Sequence, residues 1–125
     1  MSKTPSIIIV GASRDRSKFG NKAVRAYLSK GWTVFPVNPN CEEVEGLRCY
    51  RSPEEIGGNP EYAALYVPPS IGIRLLASLA KAGVKTVYVN PGAESDELVA
   101  EAKRLGMKPV LACSIRAIDV NPELL

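Results

Sequence analysis

The chain has 125 residues and a mass of 13.5 kDa; 46% of the residues are hydrophobic and 23% are charged, as in a typical globular domain with its own core. This composition argues against a disordered or collagen-like chain, and no apolar run approaches the roughly 20 residues that cross a bilayer. The sequence contains no histidine, which excludes Ser-His-Asp and Cys-His catalysis and histidine metal sites within this chain.

The net charge of +3 is distributed unevenly along the chain. Residues 1–30 carry seven basic side chains and one acidic side chain, whereas the remaining residues carry nine basic and twelve acidic ones. The local excess predicts an anion site near the amino terminus. Because the rest of the chain is acidic and no aromatic residues alternate with the basic positions, we expect no nucleic-acid partner.

The spacing of the three cysteines, Cys41, Cys49 and Cys113, contains no Cys-x-x-Cys pair, which disfavours a zinc ribbon and fits a reducing compartment. We therefore expect no metal site, and ordinary thiols and a redox or thiol-exchange role both stay open. The first residues lack the cleavage pattern of a signal peptide, so the expected location is cytoplasmic, with no membrane partner.

The first half of the chain alternates strand and helix patterns. A strand is predicted over residues 6–10, because a continuous β-branched run is typical of a strand buried on both faces. A helical stripe predicts a helix over residues 19–30, and a second strand is expected over residues 32–37. Between residues 41 and 59 the pattern is weaker; we expect a short edge strand over 47–50 and a helical turn over 53–56.

The second half continues the alternation. Strands are predicted over residues 62–67, 85–89 and 108–112; helices are predicted over 70–82, with Ser70 as N-cap, and over 95–105, with Ser95 as N-cap. This order predicts an α/β fold, a three-layer, Rossmann-like, doubly wound and mainly parallel sheet of about five strands. No internal repeat or linker interrupts it, so residues 1–125 are expected to form a single domain.

Ligands of such sheets bind beyond the carboxyl ends of the strands, where the strand order reverses. The first strand ends at Gly11, which permits a sharp turn and a close approach of the backbone to a ligand. Ser13 adds a hydroxyl, and the start of the following helix offers N–H groups that favour an anion. Four cations accompany this segment, namely Arg14, Arg16, Lys18 and Lys22. Together these features predict a site for nucleotide phosphates.

The same segment disfavours NAD as the nucleotide. The glycine after Gly11 is Gly20, so the G-x-G-x-x-G pattern is absent. The second strand ends at Asn38 and Pro39 rather than at the acidic residue that binds the ribose hydroxyls of NAD. A ligand with an additional phosphate fits better, and an NADP-dependent oxidoreductase stays open as an alternative through Arg14.

Five short segments occur in a distinctive order: Val-Gly-Ala-Ser at 10–13, Lys-Phe-Gly-Asn-Lys at 18–22, Pro-Val-Asn-Pro at 36–39, Glu-Gly-Leu-Arg-Cys-Tyr at 45–50 and Tyr-Val-Pro-Pro at 66–69. In this order they resemble the family of small stand-alone CoA-binding domain proteins. The last segment is also similar to the amino-terminal domain of the succinyl-CoA synthetase alpha subunit. The resemblance covers about residues 7–115 and implies a Rossmann-like domain that binds coenzyme A or an acyl-CoA.

The resemblance also implies which residues hold the ligand, at the ends of four strands. The expected contacts are Gly11, Ala12, Ser13 and Arg14 for the phosphates; Lys18, Phe19 and Gly20 closing that loop; Asn38 and Pro39 beside the adenosine; Val67, Pro68 and Pro69 as an apolar wall; and Val89 and Asn90 facing the other side of the ligand. No catalytic residue is expected among them.

The chain departs from the family pattern at two strand ends. It has Asn90-Pro91-Gly92 where the family often has Gln-x-Gly, and Ala112-Cys113-Ser114-Ile115 where small members often have Asp-x-Cys-Ile. The sequence contains no counterpart of the synthetase's second domain with its phosphorylated histidine, so the resemblance does not imply ligase activity.

The expected function is binding of coenzyme A or an acyl-CoA by a non-catalytic carrier, sensor or accessory subunit, because no catalytic constellation is visible. A nucleotide-using enzyme and a module that docks onto a larger partner enzyme stay open as alternatives. A homodimer also stays open, although the helical face of Leu98, Val99 and Ala102 is most simply part of the core.

Overall fold

The computed structural model describes residues 4–125. In chain order its strands are β1 (Ser6–Val10), β2 (Thr33–Val37), β3 (Glu43–Val44), β4 (Leu47–Arg48), β5 (Tyr62–Leu65), β6 (Thr86–Val89) and β7 (Lys108–Leu111). Its helices are α1 (Phe19–Ser29), α2 (Pro69–Lys81) and α3 (Asp96–Arg104), and 3₁₀ turns occupy Pro53–Glu55, Arg116–Ile118 and Pro122–Leu124. Among these residues, no helix has the length and apolarity that crossing a bilayer requires.

Five strands form one parallel sheet in the order β2-β1-β5-β6-β7. The β-branched run of β1 is fully buried, because helices cover both faces of the sheet. Ile8 packs in the cluster that α2 and α3 complete, whereas Ile7 and Ile9 pack in the cluster that α1 completes. The predicted three-layer, doubly wound, Rossmann-like α/β fold is confirmed.

The strand order reverses between β1 and β5. From β1 the chain passes through α1 to β2 on one side, and β5, β6 and β7 follow on the other side. Backbone hydrogen bonds join the end of β1 to both neighbours: Gly11 N–H donates to the Val37 carbonyl at 3.0 Å, and Tyr66 N–H donates to the Val10 carbonyl at 2.8 Å. Side chains beyond these strand ends therefore meet at one edge of the sheet.

The segment between β2 and β5 differs from its expected structure. The edge strand predicted over residues 47–50 is one arm of a hairpin, in which Glu43 pairs with Arg48. Glu45 and Gly46 form its turn with φ values of 50° and 79°, the two positive values that a type I′ turn requires. Gly46 favours such a turn but Glu45 does not, so the sequence carried only half of the usual signal.

The two predicted helix caps had different outcomes. Ser95 caps α3 as predicted, because its hydroxyl accepts the N–H of Leu98 at 3.1 Å. The prediction that Ser70 caps α2 is wrong. The N-cap is Pro68, and Pro69 opens the helix because its missing N–H is not needed at the first helical position.

The chain after β7 folds back beside α1, which the sequence did not predict. Ile115 is fully buried in the cluster that contains Tyr27, and the Tyr27 hydroxyl donates to the Ser114 carbonyl at 2.7 Å. On the opposite face of the sheet, Leu98 and Ala102 are fully buried, so this side of α3 belongs to the core.

Gly20 determines how closely α1 approaches the end of β1. A Cβ atom at this position would overlap the carbonyl oxygen of Gly11, a backbone atom that cannot rotate away. Gly11 itself has a φ of +86°, and a Cβ there would overlap the carbonyl oxygen of Tyr66. Gly20 therefore lets the first turn of α1 lie directly against the end of β1, and Gly11 lets the end of β1 lie directly against the end of β5.

We expect Gly20→Ala to lower the free energy of unfolding by about 1–3 kcal/mol, because the added methyl group must push α1 away from the sheet. Urea unfolding followed by circular dichroism measures this change. Gly57→Ala is the control, since a Cβ at Gly57 meets no atom within 4 Å. Equal unfolding midpoints for the two variants would contradict this interpretation of the contact.

Candidate functional site

A cleft of about 420 Å³ opens at the carboxyl edge of the sheet, beside the point where strand order reverses. The ends of four strands, β1, β2, β5 and β6, and the first turn of α1 form its walls. Eight of the fourteen residues predicted from the sequence line it, namely Gly11, Ser13, Lys18, Phe19, Gly20, Asn38, Val67 and Pro68. The cleft also contacts Tyr66, Pro91, Gly92 and Ala93, which the sequence analysis did not include as ligand contacts.

The other six predicted residues lie elsewhere. Ala12 and Val89 are buried, Pro69 begins α2, and Pro39 is in the exposed turn after β2. Asn90 borders a neighbouring apolar compartment rather than the cleft. Arg14 lines a separate polar depression beside the cleft, together with Glu42, Glu43 and Glu45.

The amino terminus of α1 lines the cleft, and the helix dipole makes this end electropositive. No side chain caps this helix at Lys18, and its first turn holds no acidic residue. Within residues 4–125 the N–H groups of Phe19 and Gly20 donate to no acceptor. These two donors and the positive end of the helix dipole are therefore available to an anion in the cleft.

The end of β1 contributes fewer N–H donors than the sequence suggested. The N–H groups of Gly11 and Ala12 both donate to the Val37 carbonyl, at 3.0 and 3.3 Å. The Ser13 hydroxyl accepts the N–H of Asp15 at 3.1 Å, which leaves its own proton available for a ligand. An anion at this edge would therefore contact the start of α1 and the Ser13 hydroxyl.

The four cations predicted around the phosphates do not all reach the cleft. Lys18 lines it, and Arg14 lines the depression beside it. Arg16 forms an ion pair with Glu45 at 3.1 Å. Lys22 donates to the Pro122 carbonyl at 3.3 Å and lies 5.2 Å from the centre of the Phe19 ring. Two of these four cations, Arg16 and Lys22, are thus used in internal contacts.

Asn21, which the sequence analysis did not identify as important, holds the loop before α1. Its side-chain NH₂ donates to the Ser13 carbonyl at 2.9 Å and to Glu45 Oε2 at 3.0 Å, while its oxygen accepts Arg25 Nε at 2.7 Å. Arg25 also donates to the Arg16 carbonyl at 2.9 Å. The available signal in the sequence was an asparagine four residues before an arginine on a predicted helix, a spacing that places both side chains on one helix face.

Asn38 lines the cleft and also joins two strand ends. Its NH₂ group donates to the Ala12 carbonyl at 2.8 Å, and its oxygen accepts the N–H of Asn40 at 2.8 Å. Both functional ends of the side chain therefore have protein partners. Asn38 therefore positions the turn after β2. It contributes to the cleft mainly the flat face of its amide group, because its donor and its acceptor are already used.

Asn90 is the centre of a second buried polar cluster. Its NH₂ group donates to the Leu65 carbonyl at 2.8 Å, and its oxygen accepts the N–H and the hydroxyl of Ser114 at 2.9 and 3.1 Å. The Tyr66 hydroxyl lies 2.6 Å from Ser114 Oγ, and burial raises the pKa of Tyr66 above its usual value. Asn90 and Ser114, which occupy the two segments that depart from the family pattern, thus bind each other.

The fold and the cleft together define a Rossmann-like domain with a polar-to-apolar groove at its switch point. Residues 5–118 match the model of the family described as CoA binding domain, so the chain belongs to that family. The resemblance inferred from the sequence is thereby confirmed.

Relatives of two sizes share this fold. A conserved hypothetical protein of Pyrococcus furiosus is 35% identical, with 92% of this chain and 99% of that chain aligned at a TM-score of 0.81. The alpha subunit of ADP-forming acetate–CoA ligase II from the same organism is 33% identical over 82% of this chain and 25% of the relative. A dinucleotide-forming acetyl-coenzyme A synthetase of Ca. Korarchaeum cryptofilum is 32% identical over 84% of this chain and 25% of that chain, with a TM-score of 0.74.

The chain therefore spans about a quarter of the length of this curated ligase subunit, and 13% and 18% of two others. It spans almost all of the small Pyrococcus protein. The same fold thus occurs both as a small protein and as one part of large acetate–CoA ligases.

We expect Asn90→Ala to lower the free energy of unfolding by about 2–3 kcal/mol, because it leaves the Leu65 carbonyl and the Ser114 N–H buried without partners. Chemical denaturation measures the loss. Asn59→Ala is the control, since Asn59 is exposed and its side chain makes no hydrogen bond within residues 4–125. A loss for Asn90→Ala no larger than that of the control would contradict a stabilising role for the cluster.

The cysteines are expected to differ in reactivity. Burial raises the pKa of the Cys49 thiol to about 11, so at pH 8 only about one molecule in a thousand carries the reactive thiolate. Cys41 and Cys113 are half-buried. Iodoacetamide at pH 8, followed by peptide mass spectrometry, should modify Cys41 and Cys113 well before Cys49, and the difference should vanish in denaturing urea. Cys49 reacting first in the folded protein would contradict this order.

Proposed function

We propose that this chain binds coenzyme A or an acyl-CoA in the cleft, as a non-catalytic carrier, sensor or accessory subunit. The observation that carries the proposal is the uncapped start of α1, whose two N–H donors open onto the cleft beside Lys18. Membership of the CoA binding domain family supports coenzyme A as the ligand. The Pyrococcus ligase subunit, named for a reaction of acetate with CoA, supports it as well.

The residues of the cleft fit the chemistry of coenzyme A. The pyrophosphate would lie against the N–H groups of Phe19 and Gly20, with the Lys18 ammonium and the Ser13 hydroxyl beside them. Charge-assisted hydrogen bonds of this kind are among the strongest that an exposed cleft offers an anion.

The two ends of the ligand would extend in opposite directions from the pyrophosphate. On the β2 side, Asn38 lines the cleft, and Arg14 in the neighbouring depression offers a cation to the phosphate of a phosphorylated ribose. The same depression holds the carboxylates of Glu42, Glu43 and Glu45, which can accept hydrogen bonds from ribose hydroxyls but not from the phosphate. On the β5 and β6 side, the cleft is formed by Val67, Pro68 and Ala93, a mainly apolar surface suited to a pantetheine chain.

The proposal of a non-catalytic role is supported by the hydrogen bonds that the side chains around the cleft already make. The tyrosine nearest the cleft, Tyr66, is tied to Ser114, and burial holds its pKa above the ordinary value, which disfavours it as a proton acceptor. Asn38 and Asn90 are occupied by internal hydrogen bonds. The remaining lining groups bind and orient a ligand but provide no nucleophile paired with a base.

Both a stand-alone role and a role beside a partner enzyme fit this site. The small Pyrococcus relative supports a domain that acts alone, whereas the ligase relatives support one that works with further domains. Because no chemistry is assigned to the cleft itself, a bound acyl-CoA would be stored, sensed or presented to another protein.

Isothermal titration calorimetry tests the proposal with CoA, dephospho-CoA, NADP and NAD. We expect CoA to bind more tightly than dephospho-CoA, because Arg14 offers a cation to the additional phosphate, and more tightly than either dinucleotide. Lys18→Gln should weaken CoA binding about 5- to 10-fold, since one charge-assisted contact is lost.

Lys30→Gln is the matched control, because Lys30 lies at the opposite end of α1 and should leave the affinity for CoA unchanged. No binding of CoA at sub-millimolar concentration would overturn the proposal. If NADP bound tightly and CoA did not bind, the oxidoreductase alternative would be favoured. If Lys18→Gln and Lys30→Gln bound CoA with equal affinity, the placement of the phosphates at the start of α1 would be wrong.

A further inference from the structure

A second, smaller compartment lies next to the cleft. Its volume is about 280 Å³, and Phe19, Tyr66 and Pro91 line both spaces, so the two adjoin. The part that does not belong to the cleft is formed by Asn90, Cys113, Arg116 and Pro122, which follow β6 and β7. The compartment therefore extends the groove toward the β7 edge of the sheet.

The chemistry of this compartment is apolar with a single cation. The Phe19 ring and two prolines provide its surface, and none of its seven lining residues is acidic. Arg116 forms no ion pair with a carboxylate within residues 4–125. Lys22 adds a second positive charge at the rim, because it contacts Pro122 and the Phe19 ring.

Arg116 is held in place by the fold rather than placed on a loose tail. It begins a 3₁₀ turn in which Ala117 N–H donates to the Cys113 carbonyl at 3.1 Å and Asp119 N–H donates to the Arg116 carbonyl at 3.0 Å. The turn follows Ile115, which is fully buried. The backbone that carries Arg116 is therefore held by the fold, and its exposed side chain lines the compartment.

We propose that this compartment receives the acyl group of a CoA thioester, and that Arg116 selects acyl groups ending in a carboxylate. The inference rests on the proposed function, because the pyrophosphate at α1 and the adenosine on the β2 side direct the thioester end toward β6 and β7. A guanidinium can bind a carboxylate through two parallel hydrogen bonds, and the apolar surroundings strengthen them. The preferred ligand is the CoA monothioester of a short dicarboxylic acid.

Calorimetry with succinyl-CoA and butyryl-CoA tests the inference, because their acyl groups have the same number of carbon atoms and differ in the terminal carboxylate. The wild-type chain should bind succinyl-CoA about tenfold more tightly than butyryl-CoA. Arg116→Gln should remove that preference and leave the affinity for CoA unchanged. Arg116→Lys, which keeps the charge but loses the planar pair of donors, should retain part of it.

Arg104→Gln is the control, since Arg104 lies at the carboxyl end of α3, where it pairs with Glu101, and should keep the full preference. Unfolding midpoints of all variants establish that they are folded. Equal binding of succinyl-CoA and butyryl-CoA, or a preference that survives in Arg116→Gln, would overturn the inference while leaving CoA binding intact. Failure of every CoA species to bind would overturn the proposed function and this inference together.

Discussion

The contact between Gly20 and the carbonyl of Gly11 is the constraint on which the cleft depends. A helix that follows a parallel strand normally stands off from the sheet by the thickness of its side chains, but here Gly20 removes that thickness at one point. The first turn of α1 consequently lies against the end of β1, and Phe19 and Gly20, whose N–H groups have no acceptor within residues 4–125, line the groove. An anion site made of backbone requires this approach, because N–H groups act only over hydrogen-bond distance.

Asparagines keep the strand ends in register around this contact. Asn21 connects the loop after β1 to the β3-β4 hairpin, Asn38 connects β2 to β1, and Asn90 connects β6 to β5 and to the chain after β7. Each has a carbonyl and an NH₂ group, so each satisfies a backbone donor or acceptor that the end of a strand leaves unpaired. Because their polar groups are used in these internal bonds, the three asparagines leave few free groups for a ligand in the cleft.

The elements that local patterns encode were predictable from the sequence. A continuous β-branched run identified β1, and Ser95 identified the start of α3, because both signals lie within a few residues. The turn of the hairpin at Glu45 and the return of Ile115 beside α1 depend on contacts with distant segments. The ion pair between Arg16 and Glu45 also joins distant segments of the chain. A count of charges locates an excess of positive charge, but it does not show which of those charges form ion pairs in the fold.

The position of the apolar compartment follows from that same return of the chain. Without the segment after β7, the groove beyond Pro91 would open to solvent. Phe19, a residue that is 52% exposed, would then have no surface opposite its ring. The buried bond between Asn90 and Ser114 anchors the segment, and the 3₁₀ turn that follows carries Arg116 to the compartment. The two segments that depart from the family pattern therefore shape the end of the groove distant from the phosphates. If the phosphates bind at the backbone of α1 as proposed, substitutions in these two segments would alter which acyl group is accepted rather than whether the nucleotide is bound.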